Sequence, residues 1–204
     1  GLKATQSVLP SMPSLFTSLA SAGPMTRYVE DAALMLEVMS GLKVYADLSE
    51  STYDLRVAYV PTMNDVPVDK EVAQHVHAAV NKLATIGRVE EIRLDIPKMT
   101  ETFEKHWMAV AAWILNQIPE AKHAQMDPYL VSWAARGKKM ALNDYLDAEL
   151  QRLLIIEQVN ALFEKYDAVV MPTIAITAFD AGTNMATDAQ GQPWEHWTPF
   201  TYIA

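Results

Sequence analysis

Ser40 and Lys43 form an S-x-x-K pattern. In acyl-transferring enzymes with this pattern the serine is a nucleophile, and a neighbouring base takes its proton. A four-residue pattern with two free positions is expected by chance in a chain of this length. Gly41 also follows an apolar-periodic segment, where glycine commonly ends a helix. We therefore interpret Ser40 and Gly41 as a helix end.

His75 and His77 form an H-x-H pattern, and Glu90 and Glu91 are adjacent carboxylates. On a helix, residues two apart point about 200° apart, so the histidines do not converge on a metal. Neighbours on a strand point to opposite faces, which disfavours a paired acid and base. The absence of cysteine excludes disulfides, a thiolate nucleophile and Cys-based zinc sites. We expect no metal site and no cofactor.

Two tryptophans and a histidine cluster in a late polar loop as Trp194, His196 and Trp197. Such a loop can line an apolar pocket, or its rings can simply anchor it to the core. We assign no catalytic role to His196. Thr173 follows an apolar strand, and ligands in α/β folds gather beyond the carboxyl ends of parallel strands. Thr173, Trp194 and Trp197 are therefore our candidate substrate-binding residues.

The composition is that of a globular chain and disfavours several classes of partner. Of 204 residues, 50% are hydrophobic and 20% charged, which suits one domain or part of a larger one. The 16 basic and 25 acidic residues give a net charge of −9. Nucleic-acid binding needs a basic patch, and no Lys/Arg run suggests a membrane anchor. We expect no nucleic-acid or membrane partner and a cytoplasmic location.

Hydrophobic periodicity predicts a strand–helix–strand unit. Arg56–Val60 is a short apolar run, Asp69 is placed to open a helix, and Gly87 is placed to end it. Val89–Leu94 alternates apolar and charged residues. The default for this order is a parallel pair of strands. Ala168–Met171 predicts a further, fully apolar strand.

Most of the remaining chain has helical periodicity. We expect Thr26 to cap a first helix, Asp127 to cap a later one with proline at its first position, and Asn143 to cap a long one. Trp107 lies on the apolar stripe of its helix and is expected in the core. Trp113 lies six positions further along, on the other side. The overall expectation is an α/β fold.

Three separated segments carry a family resemblance. They are Gly1–Gly41 (GLKATQSVLP…GPMTRYVEDAALMLEVMSG), Tyr166–Thr173 (YDAVVMPT) and Pro199–Ala204 (PFTYIA). In this order they resemble the amidase signature family, whose patterns read GLKPT…GPMTRTVADAALML…G, YDxLLxPT and PFTxxxNLTGxPA. Ala4 stands where that family usually has proline, and residues 6–8 replace its common x-Gly-Arg. These departures change the expected path of one loop.

The resemblance implies a hydrolase of small-molecule carboxylic amides. Family members use a serine nucleophile, a second serine held by a cis peptide, a lysine base and a glycine-rich loop that stabilises the oxyanion. In the family order all of these lie before Gly1, so no catalytic residue is expected in this chain. The expected fold is a partial amidase-signature fold, with a parallel or mixed sheet flanked by helices and a helical lobe. The chain looks truncated at both ends and is expected to be inactive alone.

We expect a single partial domain over 1–204. Residues 1–96 would hold a loop, a helix and the βαβ unit, residues 97–165 a helical lobe, and residues 166–204 a strand and a long loop returning to the core. Exposed strand edges and apolar faces of a half-domain favour homo-oligomers or aggregation. Two other functions stay open. One is a relative of the glutamyl-tRNA amidotransferase component that liberates ammonia for a partner enzyme, and the other is a non-catalytic binding module.

Overall fold

The computed structural model describes residues 1–5, 8–9, 20–43, 47–49, 54–183, 185–187, 194 and 197–203. Helices and strands alternate in the first half of this part, and helices dominate the second. The elements in chain order are α1 (Val29–Ser40), β1 (Leu55–Tyr59), α2 (Lys70–Leu83), β2 (Gly87–Glu91), α3 (Met99–Asn116), α4 (Pro128–Gly137), α5 (Leu142–Asn160), α6 (Leu162–Lys165) and β3 (Ala168–Val170). Among the described residues, Glu120–Gln125 and Pro199–Thr201 form 3-10 helices.

The three strands form one parallel sheet in the order β2-β1-β3. β1 lies in the middle, and its last residues, Val57 to Tyr59, are buried. Beyond the named strands, Met63 and Leu94 form a further parallel bridge. The predicted α/β class with parallel strands is therefore confirmed.

The prediction that Gly87 ends a helix was wrong. The helix before it, α2, ends at Leu83, and Gly87 is instead the first residue of β2, paired with Leu55. A Cβ atom at this position would lie 2.6 Å from the Leu55 carbonyl oxygen. The missing side chain therefore allows β2 to approach β1, which is a different role from ending a helix.

Two of the four expected helix caps differ from the sequence prediction. Asp69 and Asp127 accept backbone N–H bonds at the starts of α2 and α4, as predicted. Thr26 does not cap α1, because its hydroxyl donates to the Tyr28 carbonyl and the helix begins at Val29. Asn143 lies inside α5. There the Asp144 carboxylate accepts the Ala141 N–H, 3.2 Å away, at the start of the helix.

The chain folds into two compact units. The first comprises Gly1–Ser51 and Trp107–Lys139, and the second comprises Thr52–His106 and Met140–Ala204. In the first unit, α3 and α4 pack around Trp133, Ala134, Ala111 and Leu115, with Trp107 against them. Trp113 is 51% exposed. The placement of Trp107 in a core is therefore confirmed.

The second unit holds the sheet and the larger core. The buried side chains of this core come from the segments that follow the three strands, from α3, from α5 and from the last residues of the chain. They are Val60, Met63, Leu94, Ile96, Met99, Ile155, Ala175 and Phe200. None of the helices in the described part is both long and apolar enough to cross a bilayer.

Helix α5 is apolar on two opposite sides. Ala148 and Ile155 are buried. At 100° per residue, the opposite side carries five leucines, each at least half exposed. This leucine face consists of Leu142, Leu146, Leu150, Leu153 and Leu154. The leucine face is therefore a clustered, exposed apolar surface, of the kind that other surfaces commonly cover.

Candidate functional site

Ser40 is bound into the end of α1. Its hydroxyl donates to the Glu37 carbonyl at 3.3 Å and accepts the Leu42 N–H at 3.2 Å. Gly41 follows in the left-handed conformation, with φ of 75°, and its N–H bonds to Glu37 as a helix C-cap. These contacts agree with the helix-end interpretation of the S-x-x-K pattern.

The paired histidines and glutamates are surface residues. His75 and His77 are both exposed on α2, where they face Glu71 and Asn81 respectively. On the sheet edge, Glu90 pairs with Lys165 at 3.0 Å, and hydrogen bonding to Lys165 is the largest cause that lowers the pKa of its carboxyl. Within the described part of the chain, no cluster of three or more His, Asp or Glu residues could hold a metal ion.

The carboxyl ends of the three parallel strands lie at one edge of the sheet, and Thr173 lies there. It is exposed and comes three residues after β3, just beyond the buried Pro172. Two residues later, the carbonyl of Ala175 accepts the Asp69 N–H at 2.8 Å, at the start of α2. The loop that carries Thr173 is therefore fixed at the edge where α/β folds bind ligands.

A second loop joins this edge through Trp197. The Ala175 N–H donates to the Trp197 carbonyl at 3.3 Å, so the loops of Thr173 and Trp197 are hydrogen-bonded. The Trp197 ring meets Phe179 edge-to-face, with centroids 5.4 Å apart and planes at 88°. Such pairs stabilise each other by about 0.5–1.5 kcal/mol beyond their burial. Phe179 is 40% exposed, so this pair also presents apolar surface.

Trp194 packs against the core of the second unit. It is half-buried against that core, and its backbone N–H donates to the carbonyl of Ala186 at 2.8 Å. Ala186 is itself fully buried. These contacts hold Trp194 itself against the core. His196 lies outside the described residues.

Asn64 and Tyr59 also lie at this edge, and no pattern in the sequence singled them out. Asn64 follows β1 with a positive φ of 52°, and its side chain bonds to both the N–H and the carbonyl of Ile96, at 2.6 and 3.0 Å. Tyr59 ends β1; burial first, and then Glu91, raise the pKa of its hydroxyl. The available signal was an Asn-Asp pair just after a strand, because both residues tolerate left-handed backbone.

An exposed charge cluster surrounds the Asn64 turn. Arg93 contacts Asp65 at 2.8 Å and Asp95 at 2.5 Å. Hydrogen bonds to these two carboxylates raise the pKa of the guanidinium, which is charged at every working pH. Arg93 therefore links the turn after β1 to the segment after β2 through its salt bridge to Asp65.

This edge can contact a ligand but does not form a nucleophilic centre. Thr173 offers a hydroxyl, while Phe179 and Trp197 offer aromatic surface. A hydroxyl needs an adjacent base to attack, and no side-chain base bonds to Thr173 in the part of the chain that the structure describes.

Comparison with known proteins places the whole chain in one family. The family model described as "Amidase" matches residues 1–204. An amidase from Pseudomonas putida is 30% identical over 199 residues, which cover 87% of this chain and 41% of the relative. A glutamyl-tRNA(Gln) amidotransferase subunit from Macrococcus caseolyticus is 26% identical over 215 residues, covering 83% and 43%.

The fold has the same relatives. A bacterial aryl acylamidase of the amidase signature enzymes superimposes with a TM-score of 0.76 at 20% identity, over 100% of this chain and 48% of that one. The chain therefore spans less than half the length of each of these three proteins. The family match over every residue and the identity to the Pseudomonas amidase lead to one conclusion: this chain belongs to the amidase (amidase signature) family.

Proposed function

We propose that this chain is the C-terminal portion of an amidase that hydrolyses a small-molecule carboxylic amide to an acid and ammonia or an amine. The observation that carries the proposal is the family match over residues 1–204. The matched region covers 41% of the Pseudomonas amidase. Because the Gly1–Gly41 segment resembles the stretch that follows the catalytic core in the family order, the proposal assigns the catalytic machinery to polypeptide that precedes Gly1.

The chemistry in this proposal is acyl transfer. A serine hydroxyl upstream of Gly1 attacks the amide carbon, a base takes its proton, and the tetrahedral oxyanion is held by preorganised N–H donors. The amine leaves with a proton, and water then releases the acid. The present chain contributes no nucleophile and does not hydrolyse amides by itself.

The contribution of this chain is one wall of the substrate cleft. Of the three candidates Thr173, Trp194 and Trp197, we assign direct substrate contact to Thr173 and Trp197. The support is the position of Thr173 beyond β3, the bond that joins its loop to the Trp197 loop, and the aromatic surface of Phe179 beside Trp197. In this role Thr173 and Trp197 contact substrate, whereas Trp194 holds the loop in place.

Thr173 allows a matched test in the longer, active polypeptide that the proposal requires. Thr173→Val removes the hydroxyl and keeps the shape, so KM for the amide should rise several-fold while kcat changes less. The control is Thr177→Val, the same change at another threonine of this loop. Equal effects of the two variants would remove Thr173 from the site.

A second candidate is a component that liberates ammonia for a partner enzyme. It is favoured by the similarity to a glutamyl-tRNA(Gln) amidotransferase subunit, 26% over 83% of this chain. In that case the longer polypeptide should co-purify with other components and release ammonia only as part of that assembly. A free-standing amidase should instead act without partners on other amides.

The coding sequence upstream of Gly1 gives the first test of the proposal. A glycine- and serine-rich stretch ending in a GGS-type motif, with a lysine further upstream, supports an enzyme. An upstream sequence without these residues supports a non-catalytic binding module and contradicts the proposal. The activity measurement that follows compares the longer polypeptide with residues 1–204 alone.

A further inference from the structure

His106 is a buried titratable side chain that the proposed amide chemistry does not use. It lies on α3 in the second unit, and only 3% of its surface is exposed. Its Nδ1 atom is 2.8 Å from the carbonyl oxygen of Thr102, one helical turn earlier. Because a carbonyl can only accept, Nδ1 carries a hydrogen. The protonation of the ring then depends on Nε2 alone.

The Nε2 atom of His106 faces Glu149 on α5. It lies 3.1 Å from Oε1 of that carboxylate, yet it is a buried nitrogen without a hydrogen-bond partner among the described residues. Burying a polar atom without a well-aligned partner is costly. The pair is therefore close enough to bond after a small rotation but is not fully bonded in this arrangement.

Glu149 already has one strong donor. The Tyr145 hydroxyl, one turn earlier on α5, donates to Oε1 at 2.6 Å. This bond is the largest cause that lowers the pKa of the Glu149 carboxyl and raises the pKa of Tyr145 to about 12. The tyrosine ring also lies against His106, with centroids 5.4 Å apart. At neutral pH, His106 therefore faces a charged carboxylate and a neutral phenol.

The remaining charges recorded around this cluster lie on the same two helices. Arg152 on α5 contributes to the low pKa of Glu149. Lys105 on α3 pairs with Glu101 at 2.8 Å and is attracted by two further carboxylates of α5, Asp144 and Asp147. The interface between these parts of α3 and α5 is thus one of opposite charges, and His106 is buried within it.

The charge of His106 decides whether the Glu149 contact is attractive. With Nδ1 protonated, a neutral ring presents its Nε2 lone pair to the carboxylate oxygen, and the two repel. A proton on Nε2 makes both a donor and an opposite charge. Charge-assisted hydrogen bonds of this kind are about twice as strong as neutral ones.

We propose that His106, Glu149 and Tyr145 form a proton-dependent contact between α3 and α5, called the fastener below. Nε2 of His106 donates a hydrogen bond to Glu149 when it is protonated, and this bond is absent when Nε2 is not protonated. Tyr145 holds the carboxylate in place in both states. This inference goes beyond the proposed function and does not depend on amide chemistry.

The direction in which stability changes with pH follows from which protonation state of His106 forms the hydrogen bond to Glu149. A contact made by the imidazolium adds stability below the titration of the ring and is lost as pH rises through it. Histidine is the side chain that ordinarily changes charge between pH 5 and 8. The Glu149 carboxyl, with its lowered pKa, stays charged across that window. The fastener therefore weakens with rising pH, as Nε2 loses its proton.

A double-mutant cycle at two pH values tests the fastener. The variants are His106→Gln, Glu149→Gln and the double change, and the readout is the urea midpoint of unfolding at pH 5 and at pH 8. Glutamine retains a donor near Nε2 but does not titrate. We expect a coupling between the two positions at pH 5 that is several-fold smaller at pH 8. Equal coupling at both values, or none at either, overturns the proposal.

Tyr145→Phe is the matched control. It removes the other donor to the same carboxylate, and a phenol with a pKa of about 12 does not titrate in this window. Its coupling to Glu149→Gln should therefore be the same at pH 5 and pH 8. If the His106 variants do not fold, the test is 15N NMR of the His106 ring in the unaltered chain, which reports whether Nε2 carries a proton. A proton on Nε2 at pH 5 that is lost by pH 8 supports the fastener, and an unprotonated Nε2 at pH 5 overturns it.

Discussion

Arg56 and Asp167 fasten the first and third strands of the sheet to each other. The Arg56 backbone N–H and its Nε both donate to Oδ2 of Asp167, at 2.8 and 3.1 Å, and its NH2 group donates to Oδ1 at 2.7 Å. The Asp167 N–H returns a bond to the Arg56 carbonyl at 2.7 Å. One carboxylate thus sets the register between β1 and β3, which puts Thr173 at the edge of the sheet.

Removing this carboxylate charge should destabilise the second unit. We expect Asp167→Asn to lower the urea midpoint at pH 7, because the forked contact with Arg56 and the bond to its backbone both weaken. The control is Asp54→Asn, which alters a more exposed pair with Arg88. Exposed pairs of this kind contribute little. A midpoint that falls equally in both variants contradicts a special role for Asp167.

The same pair predicts a pH dependence. Hydrogen bonds from Arg56 lower the pKa of Asp167 from 3.8 to about 2. A carboxyl with a lowered folded-state pKa contributes stability above its ordinary value, and that contribution is lost as pH falls through the folded value. The stability difference between the unaltered chain and Asp167→Asn should therefore shrink as pH falls from 3.8 to about 2. A difference that stays constant over this range rules out the linkage.

Asn64 should be indispensable to the turn after β1. Its side chain satisfies both backbone groups of the buried Ile96, and its own backbone is left-handed. Asn64→Ala leaves those groups unpaired and strains the turn, so unfolding should become easier by about 1–3 kcal/mol. The same change at the exposed Asn81 of α2 should cost less than about 0.5 kcal/mol. Chemical denaturation of both variants provides the comparison.

Gly137 is predicted to be intolerant of even a methyl group. It ends α4, and a Cβ atom there would overlap the carbonyl oxygen of Met108 on α3. Replacing glycine by alanine normally favours a helix by about 1 kcal/mol, whereas here the overlap should destabilise by about 1–3 kcal/mol. Ser132→Ala, at an exposed position of the same helix, is the control and should be neutral or stabilising. Thermal unfolding that ranks the two variants the other way contradicts the packing.

The leucine face of α5 should drive self-association of the isolated chain. Its five leucines are each at least half exposed, and clustered apolar surface of this kind marks sites that other surfaces cover. Leu150→Glu should reduce the fraction of dimers and larger species in sedimentation velocity. Gln74→Glu adds the same charge on an exposed position of α2 and should leave that fraction unchanged. A monomeric unaltered chain would contradict this prediction.

The parts of the fold that were predictable depend on neighbours in sequence. Asp69 and Asp127 bond to backbone groups two or three residues away. The apolar runs at β1 and β3 and the apolar–charged alternation at β2 are visible directly in the sequence. Gly87 was misassigned because its role is set by Leu55, which lies far away in the chain. Periodicity identified the leucines of α5 as apolar but could not decide which side of the helix would be buried.

In the candidate site, too, features set by neighbouring residues were predictable and features set by residues distant in the chain were not. The position of Thr173 past a strand follows from local sequence, and its place at the sheet edge follows from parallel pairing. The Trp197–Phe179 pair and the Asn64–Ile96 bonds join residues from different loops, so no local pattern indicates them. His106 was missed because a histidine within a helical stripe gives no sign of the carboxylate that a later helix brings to it.

The central claim is that this chain is a wall and scaffold of an amidase and not its catalytic centre. The most direct measurement is amide hydrolysis by residues 1–204 alone and by the polypeptide extended upstream of Gly1, on the same aryl and aliphatic amides. We predict no turnover by the chain alone, and turnover by the extended form that is lost when an upstream serine is replaced. Turnover by residues 1–204 that is abolished by a substitution within them would contradict the account.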